Sequence, residues 1–265
     1  MTNVSSSAAM KGDETACAGS SPFSVVALDI GGTKVAGCIA VYEHAGACPK
    51  VMLKKSIPTD AQRGGSDVLA RVCELAGELV ADAQKADVPA LAGIGVSSAG
   101  SIRESDGLVA FASEIMPGWM GQPLGAALHE RCGLPVAVLN DVHAHALGEL
   151  RHGAAKGARV ALMVAAGTGL GGAVMIDGHL LGGAHGCAGT IGHTLHPAAV
   201  GCPSGWPGTG HLESVVAGSG IEECYRARGG EAISGGEISR RANDGEALAR
   251  EVIEQSGRSL GESIA

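Results

Sequence analysis

The sequence predicts an α/β protein built from two lobes, and three observations carry that expectation. Short β-branched apolar runs alternate with segments of helical period. The strand–turn–strand layout of FSVVALDIGGTKVAGCIAVY, residues 23–42, is echoed by RVALMVAAGTGLGGAVMIDG, residues 159–178, as a weak internal repeat. A chain of 265 residues with 43 Gly and 2% aromatics builds its core from Val, Leu, Ile and Ala, and is long enough for two lobes.

The expected division is a flexible tail over 1–21, a first lobe over 22–138 and a second over 139–265. FSVVALDI and VAGCIAVY read as strands joined by GGTK, and KVMLKKSIPT as a third strand. SDVLARVCELAGELVADAQ then sets Val68, Val72, Leu75, Leu79 and Ala83 at helical spacing behind Ser66 as N-cap. ALAGIGVSSAG (90–100) is a strand entering a Gly/Ser turn, and PLGAALHERCG is a short helix closed by Gly133. LPVAVLN is a buried strand ending at Asn140, and DVHAHALGELRHG is a helix. Beyond the second strand–turn–strand, ECYRARG reads as a short helix. EALAREVIEQSGRSLGESIA is a helix with Leu248, Val252, Leu260 and Ile264 on one face. There the chain stops in mid-pattern, where a doubly wound α/β protein continues with another strand, so the second lobe is expected to be incomplete.

Charge and composition exclude several classes. A formal net charge of −8 without a Lys/Arg stripe argues against a phosphate-backbone footprint, so no nucleic-acid partner is expected. No run of about 18 apolar residues spans a membrane, and the first 21 residues lack the basic and apolar regions of a signal peptide. Eight scattered Cys without C-x-x-C pairs read as reduced thiols, and the expected location is the cytoplasm.

Two glycine turns carry chemistry. In D-I-G-G-T-K, Gly31 and Gly32 let backbone N–H groups approach a phosphate, Thr33 and Lys34 add a hydroxyl and a cation, and Asp29 is placed to hold Mg²⁺ through water. An ordinary hairpin turn also accounts for those six residues. G-T-G-L-G-G, residues 167–172, repeats the device with Gly167, Thr168 and Gly169, and strand rather than helix follows, so it is no dinucleotide fingerprint. The pair together suggests a nucleotide triphosphate held between lobes. L-N-D puts Asn140 and Asp141 at a strand end, where Asp141 is either a helix N-cap or a carboxylate that accepts the proton of an attacking hydroxyl.

LDIGGTKVAGCI, G-V-S-S-A-G, L-N-D-V-H-A-H-A-L-G-E, A-A-G-T-G-L-G-G-A and G-A-H-G-C-A-G-T-I-G-H follow the order and spacing of ROK-family sugar kinases, which the chain resembles over most of residues 25–221. The resemblance implies a two-lobed actin-like (ribonuclease H-like) ATPase fold and transfer of the γ-phosphate of Mg·ATP to the 6-hydroxyl of a hexose or N-acetylhexosamine. On that analogy Asp141 is the general base. Asn140, His193, Glu213, Ser98 and Gly100 contact the sugar, while Asp29, Gly31, Gly32, Thr33, Lys34, Gly167, Thr168 and Gly169 hold Mg·ATP. It also implies a homodimer. His143, His145 and His152 match no functional position and read as surface or packing residues.

Three departures from the family pattern stand out. The zinc motif of the family is degenerate: Ser204 replaces the second thiolate and leaves His193, Cys202 and His211, with His196 or water as a fourth ligand. The other reading is a metal-free loop stiffened by Trp206 and two prolines. Thr190 replaces a glutamate that contacts sugar, removing one charged acceptor. The segment that helps hold adenosine is expected after residue 265, so weak ATP binding is expected of the chain as given. The alternatives to a kinase are a sugar-binding regulatory protein or a catalytically weak remnant of the same family. A DNA-binding regulator is disfavoured by the short Ser/Ala-rich tail.

Overall fold

The computed structural model describes residues 21–113, 115–203 and 208–265. The tail expected over 1–20, and the loop positions Ser204, Gly205 and Trp206, lie outside the described residues.

Alternating apolar residues make β1 (Phe23–Ile30) a central strand, with Val26, Leu28 and Ile30 turned into the core. It pairs antiparallel with β2 (Lys34–Tyr42), which pairs antiparallel with β3 (Lys50–Pro58). On its other side β1 runs parallel to β4 (Leu91–Ser98), which runs parallel to β7 (Val136–Asn140). The order is β3-β2-β1-β4-β7. Between β3 and β4 the chain crosses over through α1 (Gly65–Lys85), whose Val68, Val72, Leu75, Leu79 and Ala83 are buried at the expected helical spacing. The cap differs from expectation. Gly64, at φ 96°, is the N-cap without a side-chain bond, and Ser66 lies inside the helix. A side-chain cap depends on backbone dihedrals at the turn, and here a 3₁₀ turn at Ala61–Arg63 consumes the approach.

A small hairpin, β5 (Ser101–Arg103) with β6 (Leu108–Phe111), leaves the end of β4. The chain returns through α2 (Leu124–Cys132), closed by left-handed Gly133. Trp119, fully buried, anchors this connection in the first core with Leu124 and Leu128. Helix α3 (Asp141–His152) leads to the second sheet. That sheet is β10-β9-β8, from β8 (Val160–Ala166), β9 (Leu170–Ile176) and β10 (His179–Leu180). It repeats the β1-β2 layout, as the internal repeat predicts.

Four helices follow: α4 (Glu213–Val216), α5 (Gly218–Ala227), α6 (Gly235–Asn243) and α7 (Ala247–Ile264). Helix α7 buries Ala249, Val252, Ser256 and Ser259, whereas Ile264 is 49% exposed. Of the expected face, Val252 is buried and Leu248 and Leu260 pack against the core, so only Ile264 departs from it. The close packing of α7 against α4, α5 and α6 selects small side chains at Ala249, Ser256 and Ser259. No helix among the described residues is long and apolar enough to cross a membrane, and the seven described cysteines are free thiols.

Candidate functional site

The parallel strands end level with one another. Ile30 of β1 pairs with Ser98 of β4, which pairs with Asn140 of β7. The residues that follow, Gly31, Ala99–Gly100 and Asp141, therefore emerge side by side at the carboxyl edge of the sheet, where open α/β folds place their ligands. A cavity of about 530 Å³ opens there between the two sheets. Its wall includes Gly31, Gly32, Thr33, Gly100, Asn140, Asp141, Gly167, Thr168, Gly169, His193 and Glu213, so residues far apart in sequence meet on one surface.

The first glycine turn is held from outside. Gly31 N–H donates to Lys34 O at 3.0 Å, Thr59 N–H donates to Thr33 O at 2.9 Å, and the buried Thr59 hydroxyl donates to Gly31 O at 2.6 Å. Arg71 in turn donates to Thr59 O at 2.9 Å. Nothing in IPTD marks Thr59 in advance, because its partners lie across two strands. The second turn is held the same way: Leu170 N–H donates to Glu213 Oε2 at 2.9 Å, Gly218 N–H to Gly167 O at 2.8 Å, and Ser219 Oγ to Thr168 O at 2.9 Å. A Cβ built on Gly167 would meet open space, so bare backbone faces the cavity there. The second turn thus leaves room for close approach to its backbone, as a phosphate-binding turn needs.

Asn140 is the N-cap of α3. Its Oδ1 accepts from Val142 N–H at 3.0 Å and His143 N–H at 3.3 Å, and its Nδ2 donates to Gly100 O at 2.8 Å and Asp141 Oδ1 at 2.9 Å. Two donors and two lone pairs are then engaged. One alternative closes accordingly: Asp141 is the first helical residue rather than the cap. Asn140 lines the cavity while its amide makes those four bonds.

Asp141 opens onto the cavity, but the surrounding walls desolvate it, and that burial pushes its carboxyl above the ordinary carboxylate range. The Asp29 charge adds to the rise, while hydrogen bonds from Val142 N–H and the Asn140 amide oppose it. Asp29 is held by Ser97 Oγ at 2.8 Å. Asp141 on the cavity wall and Asp29 behind it both carry the oxygen donors that a hard divalent cation takes.

Burial pushes the His193 imidazole below its ordinary value, with Glu213 opposing and His211 adding to the fall. A neutral ring both donates and accepts, as a polyol requires. Three expected site residues stand off the cavity wall. Ser98 is fully buried, its hydroxyl donating to Ala99 O at 3.0 Å and accepting from Trp119 Nε1 at 3.3 Å, so it braces the strand end and does not face a ligand. Lys34 is exposed at the start of β2, and Asp29 lies one strand position behind the turn. Phe111, Ala112, Ile115 and Met116 supply an apolar flank that the sequence reading missed, because the end of β6 and the connection after it bring them in from a segment without strong periodicity.

The zinc expectation does not fit. Among the described residues no group of three or more His, Cys, Asp or Glu converges on a metal position. His193 and His211 meet edge to face at 5.5 Å between ring centroids, but Cys202 packs into the apolar cluster around Leu212 and Val215. His196 Nδ1 accepts from Ala198 N–H and its Nε2 lies 3.3 Å from Glu262, so it is turned to α7.

Two sheets of like layout enclosing a cleft lined by two glycine turns define the actin-like ATPase fold. The chain belongs to the ROK family, whose profile matches residues 25–265. It is 35% identical to a glucokinase of Halalkalibacterium halodurans over 74% of this chain and 57% of that protein. It thus spans little more than half the length of that relative. It is 31% identical to an N-acetylmannosamine kinase of Shigella flexneri, over 92% of this chain and 78% of that protein. Among solved structures, a ROK family glucokinase from Streptomyces griseus in complex with glucose and AMPPNP superposes with a TM-score of 0.69 at 26% identity, covering 91% of this chain and 78% of that one. A ROK family transcriptional regulator superposes with a TM-score of 0.76 at 28% identity, covering 91% and 61%.

Proposed function

We propose that the protein is an ATP-dependent sugar kinase that transfers the γ-phosphate to the 6-hydroxyl of a hexose or N-acetylhexosamine. The observation that carries this reading is the level ending of β1, β4 and β7, which sets Asp141, the first glycine turn and Gly100 on one cavity with the second turn, His193 and Glu213. The names of the two kinase relatives support the same class.

Asp141 takes the proton as the sugar oxygen bonds to the γ-phosphorus and the bond to the departing ADP breaks. A carboxyl raised by burial is a stronger base than an ordinary one, which suits this task. Asn140 aims Asp141 through its amide and ties it to the Gly100 turn. Backbone N–H groups of Gly32 and Thr33 and of Thr168 and Gly169 donate to phosphate oxygens as charge develops. His193 and the Oε1 of Glu213 meet sugar hydroxyls, the other Glu213 oxygen being held by Leu170 N–H. Asp29, with Asp141 nearby, is the side chain to hold Mg²⁺ through water, and Mg²⁺ when bound neutralises phosphate charge.

The test is a coupled ADP-release assay with glucose, N-acetylglucosamine and N-acetylmannosamine. ADP release that depends on a sugar and vanishes in Asp141→Asn is expected. Sugar binding by calorimetry with no ADP release would replace the kinase reading by a sugar-binding regulator or remnant, the reading favoured by the likeness to a ROK regulator.

A further inference from the structure

We infer that His143 is a positioning residue that pins the sugar-side turn Cys187–Thr190 to the helix carrying Asp141; the inference rests on the kinase reading for its kinetic consequence only. His143 is 3% exposed and lies on the cavity wall, one helical step beyond Val142. Its Nε2 reaches Ala188 O at 3.3 Å, and a carbonyl partner requires the tautomer with hydrogen on that nitrogen. Its Nδ1 faces Glu104 Oε1 at 3.9 Å, on the turn between β5 and β6.

The turn it holds is compact. Thr190 N–H and Thr190 Oγ1 both donate to Cys187 O, at 3.3 and 2.8 Å. Its far side is pressed against β9: a Cβ on Gly172 would lie 2.3 Å from Gly189 O, so the turn cannot move further toward the sheet. The segment leading in rests on the hairpin, since a Cβ on Gly186 would come within 2.8 Å of Ile102 O. Sheet and hairpin block motion in those two directions, and the His143 bond restrains the turn on the α3 side. The turn passes directly into Ile191–His193, so the tether sets the distance between Asp141 and the Thr190–His193 wall.

The test compares the wild type with His143→Leu, which keeps bulk and loses the donor, and His143→Gln, whose amide can reach Ala188 O. Hydrogen exchange of residues 182–193 should quicken in His143→Leu and return toward wild type in His143→Gln, whether or not the protein phosphorylates sugar. In ADP release, His143→Leu should raise the sugar KM about tenfold, the scale of one lost buried hydrogen bond, with the ATP KM within about twofold. Unchanged exchange of 182–193 in His143→Leu overturns the pin. Sugar and ATP KM rising together, or no rescue by Gln, reduces His143 to general packing. Absence of sugar-dependent ADP release in the wild type would instead count against the kinase reading, leaving exchange to decide the pin.

Discussion

Replacing Asn140 by Ala removes four hydrogen bonds in one step: the two N-cap bonds to Val142 and His143, the bond to Gly100 O, and the bond to Asp141. Loss of a side-chain cap costs about 1 kcal/mol. The part-buried Gly100 carbonyl left without its amide donor adds about 1 kcal/mol. The Asp141 bond lies at the open cleft, where solvent screening holds it to about 0.5 kcal/mol. The sum is about 2.5 kcal/mol, to be read as a shift in urea midpoint at unchanged slope by far-UV circular dichroism. Asn140→Ser keeps a cap acceptor but cannot span to Gly100, so it should lose about 1.5 kcal/mol. A kinetic signature accompanies the loss. The Asn140 amide lowers the Asp141 pKa, so its removal moves the acidic limb of the pH–rate profile to higher pH. Equal costs for Ala and Ser would refute the cap, and a cost below about 0.5 kcal/mol for Asn140→Ser would refute the tertiary bond to Gly100.

Asp141→Asn should lower kcat by about 10²–10⁴-fold with sugar affinity nearly unchanged by calorimetry. Because the folded pKa of Asp141 is raised, its charged form disfavours folding above that pKa and the penalty vanishes below the unfolded value. Asp141→Asn should therefore melt higher than wild type at pH 8, with the gap closing as pH falls toward 4; an equal or lower melting point at pH 8 would contradict the burial of that carboxylate. His193 is held neutral by burial, so sugar affinity should persist as pH falls through the ordinary histidine range near 6.5, and an affinity loss centred there would show a ring that titrates normally. Protein purified without added metal should carry well under one equivalent of zinc and keep its unfolding midpoint in chelator; a clear drop would show that Cys202 and the two histidines do hold a metal.

Much of the architecture was legible because side-chain period reports which face is wet. Val68 through Ala83 read as one helical stripe and are buried as one. The two glycine turns were legible as turns because Gly-Gly between apolar runs has few other uses. The sequence was silent where meaning comes from across the fold. Thr59 and Ser219 hold the two turns through bonds to backbone oxygens of Gly31 and Thr168 on other elements. Ser98 sits in a Gly/Ser turn that looks ligand-facing, yet its strand position points it at Trp119. Asp141 read as either cap or base until backbone dihedrals at the β7–α3 junction made Asn140 the cap.

By itself, then, the sequence determined the longer strands, the main helices and the chemical types brought to the site, since period, turn residues and side-chain chemistry are local properties. Tertiary structure alone decided that Ile30, Ser98 and Asn140 end level, that the cleft walls desolvate Asp141, and that Cys202 packs against the apolar cluster around Leu212. Strand register, burial and partner geometry are set by contacts between segments dozens of residues apart, and no local pattern encodes them.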